Sequence, residues 1–144
     1  MLYYPNVTPV VWLGTKSKTT LTPVTLTNAY TGNRASKYVS GFSEMTFDVK
    51  YTTGSGESGT TVDIILEHSI DNTNFYRLTN ESASAGTSTL TQRTFAFAGG
   101  AGSTSYYFSY RLDISYKYIR LSAQEAGVST NYGTIFVEGV LAGN

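Results

Sequence analysis

Cysteine is missing from all 144 residues, which rules out disulfides, thiolate nucleophiles and sulfur-ligated zinc. Histidine occurs once, at His68. A serine or threonine nucleophile needs a base beside it, and a transition-metal site needs more than a single imidazole. No catalytic residue, cofactor or metal ligand is therefore expected, and the chain does not read as an enzyme. Charge is scarce as well: 14% of residues, ten basic against ten acidic, with a net charge of zero. Soluble proteins average about 25%, and a neutral chain exerts no long-range pull on phosphate backbones or anionic lipid. Proteins, not nucleic acid or a membrane, are the expected partners. No apolar run approaches the ~20 residues that a membrane span needs. Met1-Leu2-Tyr3-Tyr4-Pro5 lacks the basic start and apolar stretch of a secretory leader, which places synthesis in a cytoplasm.

Three further chemistries are weighed and set aside. Asp63 and Glu67 stand four residues apart on one strand face, about 13 Å from each other, farther than glycosidase carboxylates sit. Asp71-Asn72-Thr73-Asn74 offers oxygens in a turn but lacks the glycine and distal glutamate of a calcium loop. The glycines at 54 to 59 and 99 to 102 precede no helix and no Gly-Lys-Ser/Thr, so no phosphate cradle is implied.

What the chain has in quantity is tyrosine, 12 residues, among abundant Thr and Ser. These are strand formers, and tyrosine also favours interfaces because it joins apolar area to a hydrogen-bonding tip. Residues 44 to 51 alternate without a fault, Met45, Phe47, Val49 and Tyr51 on one face, Glu44, Thr46, Asp48 and Lys50 on the other, which predicts a half-buried strand. After a polar, glycine-rich loop over Thr52 to Thr60, Thr61 to Ser69 resumes with Val62, Ile64 and Leu66 inward, and the two strands are expected to pair as a long hairpin. His68 falls in phase with them and reads as a core or boundary residue. Asp71 to Asn74 makes a second hairpin with Phe75 to Leu78. Thr89 to Ala98, Tyr106 to Ile114, Tyr116 to Ala123 and Gly133 to Leu141 supply further strands. In the last, Ile135, Val137 and Val140 face inward, and Gly139 is expected to mark a bulge.

No apolar period of 3.6 persists, so helix should be nearly absent. The chain reads as all-β, an antiparallel two-sheet sandwich of jelly-roll or immunoglobulin-like type. All three prolines, Pro5, Pro9 and Pro23, lie near the start. Residues 1–36 are accordingly expected to form an extended arm or edge strands, and residues 37–144 the sandwich domain. On the arm reading, deleting residues 1 to 16 leaves a folded sandwich that assembles poorly. Tyr3, Tyr4, Trp12, Lys16, Lys18, Tyr107 and Tyr116 are the candidate interface residues.

Leu66-Glu67-His68-Ser69-Ile70-Asp71-Asn72-Thr73-Asn74-Phe75-Tyr76-Arg77-Leu78 resembles a hairpin, Glu-x-Ser-x-Asp-Gly-x-Asn-Trp-x-x-Leu, that recurs in β-sandwich virion proteins of tailed bacteriophages and in discoidin-like modules. Tyr116 to Leu121 and Gly133 to Leu141 look like later strands of the same folds. Asn72 replaces the usual Gly and Phe75 the usual Trp, and the paired cysteines of extracellular discoidin domains are missing. The resemblance implies a capsid decoration or auxiliary protein of the virion that binds the major capsid protein or other virion proteins. It also implies a homo-oligomer, with a trimer as one option. A carbohydrate-binding or host-adhesion module is the alternative, resting on exposed aromatics beside Asn72, Asn74, Arg77 or Gln92.

Overall fold

The computed structural model describes residues 6–30, 35–77, 79–81, 88–90, 92–99 and 103–143, with those between 77 and 102 described by their backbone alone. Among them are fourteen strands and no helix. In chain order these are β1 (Asn6–Leu13), β2 (Thr15–Lys16), β3 (Leu21–Thr22), β4 (Val24–Thr25), β5 (Lys37–Tyr38), β6 (Glu44–Thr52) and β7 (Ser58–Ser69). There follow β8 (Tyr76–Arg77), β9 (Thr79–Glu81), β10 (Ser88–Leu90), β11 (Gln92–Gly99), β12 (Ser105–Asp113), β13 (Tyr118–Ala126) and β14 (Thr134–Gly143). One sheet runs β1-β14-β6-β12, with β4 beside the start of β14; the other runs β11-β7-β13-β5, with β8 beside the end of β7. Every pairing is antiparallel.

The two sheets close on one core, because alternate side chains along each strand face the same way. β6 contributes Met45, Phe47, Val49 and Tyr51, β14 contributes Ile135, Val137 and Leu141, and β7 and β13 answer with Val62, Ile64, Leu66, Ile119, Leu121 and Ala123, all buried. The protein is thus an all-β antiparallel sandwich, as its periodicities indicate.

Several local expectations are revised. β6 and β7 do not form a hairpin: β6 pairs with β12 and β14, whereas β7 pairs with β8, β11 and β13. The segment between them, 53–57, crosses from one sheet to the other. Alternation dictates which face of each strand is apolar, and that is the same whether the next strand turns back beside it or closes over it. The Thr89 to Ala98 run is divided: β10 pairs with β9, and β11 with β7. The side chains of Leu90, Phe95 and Phe97, and residues 100–102, lie outside the described residues.

Gly139 marks no bulge. β14 keeps one register against β6 from Thr134↔Thr52 to Ala142↔Glu44, so Leu141, not Val140, is the inward residue. The irregularity lies in the partner strand β1, between Val11 and Leu13. That shift buries Trp12 and Leu13 together, at 1% and 0% exposure. Trp12 packs on Phe47 with ring centroids 5.1 Å apart, and its indole N–H donates to Thr46 O at 3.1 Å. The sandwich therefore includes residues before 37. β1 is an edge strand running along β14, where Pro9, lacking an N–H, is tolerated.

Candidate interaction surface

The outer face of the first sheet is built by a fold-back of the chain just after β1. Gly14 has φ +93°, and a Cβ there would lie 2.6 Å from Thr22 O and 2.7 Å from the Phe136 ring. Glycine alone supplies both the left-handed turn and the close approach. The chain then returns as the β2–β3 pair, Thr15↔Thr22 and Lys16↔Leu21, and lies over β14. Phe136 points outward from β14 yet is only 3% exposed. Lys16 Nζ pins the flap to the Glu138 carboxylate at 2.7 Å.

Between this flap and β12 runs a groove of about 360 Å³, with Phe136, Asp48 and Lys50 below and Leu21, Tyr107 and Ser109 along its sides. Ser109 Oγ donates to Asp48 Oδ1 at 2.6 Å, and Lys50 Nζ lies 5.6 Å from the centroid of the Tyr107 ring. Tyr107 is 72% exposed. The groove offers one aromatic face for stacking, ringed by hydroxyl, ammonium and carboxylate groups for hydrogen bonding.

A second hollow, about 520 Å³, opens at one end of the sandwich beside Phe42, His68, Ile70 and Tyr116. The His68 ring packs 4.4 Å from Tyr116 and 6.0 Å from Tyr76. Its Nδ1 is buried with no hydrogen-bond partner among the described residues. His68 thus sits at the boundary of the core, in phase with Leu66.

No protein-family model and no curated protein matches the chain. Its surface residues must be assigned from geometry. Of the interface candidates, Lys16 and Tyr107 flank the outer face of the first sheet, and Lys18 is exposed in the β2–β3 turn. Tyr116 is remote from them, half-buried against the core at the end hollow. Trp12 is corrected: a side chain 1% exposed and packed against Phe47 belongs to the core, not to an interface. Tyr3 and Tyr4 lie outside the described residues, as do the side chains of Arg77 and Gln92.

The hairpin at Asp71 to Asn74 is closed by its own donors. The Asp71 carboxylate accepts from the backbone N–H groups of Thr73 and Asn74, each at 2.8 Å, from Asn74 Nδ2 at 2.8 Å and from Ser69 Oγ at 2.9 Å. These bonds, the Asn74 N–H first, hold the carboxyl well below its ordinary range. Asn72 has φ +59°, the left-handed conformation for which glycine is the usual residue. Phe75, rather than entering the core, is capped by the Arg120 guanidinium 3.9 Å from its ring centroid, and Arg120 is held by Glu67 at 2.7 Å.

Two buried carboxylates escape sequence reasoning. Glu57, 3% exposed, ends the crossing from β6 to β7. It accepts from the N–H groups of Ser129 (2.9 Å), Thr130 (2.7 Å) and Asn131 (2.7 Å), thereby clasping the opposite crossing, from β13 to β14. Glu125 accepts from Gly133 N at 2.6 Å and from the Tyr51 hydroxyl. Burial first, then the bond to Glu125, raises the Tyr51 phenol above its ordinary value. The signal for Glu125 was readable: it continues the inward phase of Ile119, Leu121 and Ala123. Glu57, in a Gly/Ser loop, carried none.

The Glu57 clasp makes stability depend on acidity. The Ser129, Asn131 and Thr130 N–H groups lower its carboxyl from 4.5 to about 2. A folded-state value below the unfolded one contributes stability that is complete above about 4.5 and lost as pH falls towards 2. Urea titrations across that window should show Glu57→Gln less stable than wild type at neutral pH, with the difference shrinking towards pH 2. A constant difference would mean that the charge is not what holds the loops.

Proposed function

We propose that this chain is a structural virion protein of a tailed bacteriophage, a capsid decoration or auxiliary protein that binds and stabilises the assembled shell without a catalytic step. The observation that carries this reading is the outer face of the first sheet. A dedicated fold-back at Gly14 shapes it, the Lys16–Glu138 ion pair pins that fold-back over β14, and Tyr107 stands exposed beside it on the edge strand β12. Such a face suits contact with a protein surface better than dispersal in water. The hairpin at residues 66 to 78, with its left-handed Asn72 and self-capped Asp71, supports the same reading through its resemblance to phage β-sandwich proteins.

The physical role is mass action. A protein that binds the assembled shell and not its dispersed subunits stabilises the shell by RT ln(1 + [L]/Kd), about 2.7 kcal/mol per site at a hundredfold excess over Kd. Adding purified chain to particles that lack it is therefore expected to raise the temperature at which they release DNA, saturably. Tyr107→Ala should weaken that effect. Particles that release DNA at the same temperature with or without saturating chain would count against the proposal.

A second reading, a carbohydrate-binding or host-adhesion module, is favoured by the same groove, where the Tyr107 ring is flanked by Asp48, Lys50 and Ser109. Sugars stack on aromatic faces while polar groups take their hydroxyls. Binding on a glycan array that Tyr107→Ala abolishes would move the assignment to this class.

A further inference from the structure

We propose that β12 is a self-recognition edge: the strand pairs antiparallel with β12 of a second copy about a two-fold axis at Ser109, joining the two first sheets into one. The inference goes beyond the virion reading and does not depend on it. Among the described residues β12 pairs with β6 alone, in nine consecutive steps without a shift. Thr53 N–H donates to Thr104 O and Ile114 N–H to Ser43 O, each at 2.9 Å, at the two ends of this ladder. In an antiparallel ladder the bonding direction alternates residue by residue. The even-numbered residues of β12 therefore bond to β6, and Ser105, Tyr107, Ser109, Arg111 and Asp113 aim their N–H and C=O groups at the open side.

Open edges are normally blunted by proline, lysine, a bulge or brevity. β1 is interrupted by Pro9 and the shift at Val11/Leu13, and β5 is two residues long. β12 carries no proline, lysine or bulge in its nine residues, Ser-Tyr-Tyr-Phe-Ser-Tyr-Arg-Leu-Asp, and its two charges, Arg111 and Asp113, lie towards one end.

Its sequence is complementary to itself when reversed. With Ser109 facing Ser109 of the second copy, Tyr107 faces Arg111, a cation over a ring, and Ser105 faces Asp113, a hydroxyl and a carboxylate. On the inward face Phe108 meets Tyr110 and Tyr106 meets Leu112. These four are only half-buried in the single chain, and the pairing would extend the core across the junction. In this register all five edge-facing residues meet edge-facing residues, so each N–H finds a carbonyl. Centring the axis on Arg111 instead would oppose two guanidinium groups. An isologous contact of this kind closes as a dimer.

Because the chain has no cysteine, one engineered thiol reports on register. In a hydrogen-bonded antiparallel pair the facing Cα atoms lie about 5.5 Å apart, within disulfide range. Under mild oxidation Ser109→Cys is expected to give a covalent dimer. Ser105→Cys, whose thiols would sit some 27 Å apart at about 3.4 Å per residue, is expected to give none. By sedimentation of the purified full chain, wild type should be a dimer. Ser109→Pro should be a monomer with an unchanged circular dichroism spectrum, because the N–H it removes points away from β6. Three results would overturn the proposal: a wild type monomeric at every concentration, a Ser105→Cys variant that cross-links as readily as Ser109→Cys, or a folded Ser109→Pro variant that still dimerises. If Ser109→Pro does not fold, the two cysteine variants decide alone.

Discussion

Deleting residues 1–16 is expected to abolish folding. The deletion removes Trp12 and Leu13, buried to 1% and 0% exposure, and strips β14 of the neighbour it holds from Asn6↔Gly143 to Leu13↔Val137. Truncating a buried Trp costs about 3–5 kcal/mol and a buried Leu about 2–5 kcal/mol. Together these are comparable with the whole stability of a typical domain, about 5–15 kcal/mol. Trp12→Ala alone should lose about 3–5 kcal/mol in urea unfolding. Circular dichroism and a thermal melt of the truncated chain decide the matter. A native-like spectrum with a cooperative transition would return residues 1–16 to the status of an arm. The prolines allowed either an arm or edge strands; the folded sandwich with weakened assembly belonged to the arm, and Pro9 sits within an edge strand.

The second large effect is expected at Gly139, in the middle of β14. A Cβ there would lie 2.0 Å from Thr46 O and 2.7 Å from its carbonyl carbon. Those are backbone atoms of β6, so the clash is relieved only by parting two central strands. Gly139→Ala should therefore cost about 3 kcal/mol or more, at or beyond the top of the usual overpacking range. Gly56→Ala is the control. Gly56, unlike Gly139, lies in the left-handed region, at φ +77°, but a Cβ there meets nothing within 4 Å. It should cost only the ~1–2 kcal/mol of a left-handed non-glycine residue. Equal urea midpoints for the two variants would show that the close approach at Thr46 does not constrain the sheet.

The parts of the fold legible in sequence are those governed by period. Met45 to Tyr51 and Val62 to Leu66 turn their apolar sides inward as alternation requires, and His68 follows Leu66 to the boundary of the core. Asp71 to Asn74 turns because small polar side chains bond their own backbone. What could not be read is which strand lies beside which. The pairing of β1 with β14 joins residues more than a hundred positions apart, and nothing local in Val10 to Leu13 announces it. The bulge that buries Trp12 was therefore invisible, and Gly139 drew the attention that its partner strand deserved. The crossing from β6 to β7 was hidden for the same reason, along with the Glu57 clasp that fixes it. Of the interaction surface, Tyr107 was visible as one aromatic among several. The alternation of Tyr106, Phe108, Tyr110 and Leu112 with Tyr107, Ser109, Arg111 and Asp113 carries the phase that turns the first set towards the core and leaves Tyr107 outside.

The proposal that this sandwich works as a structural component of a virion is tested most directly by counting the chain in nuclease-treated virus particles purified from a lysate that contains it. Quantitative mass spectrometry is expected to find it in many copies, in fixed ratio to the major capsid protein, with density at symmetry-related positions on the shell by electron microscopy. Recovery of the chain only from the particle-free lysate would contradict the proposal.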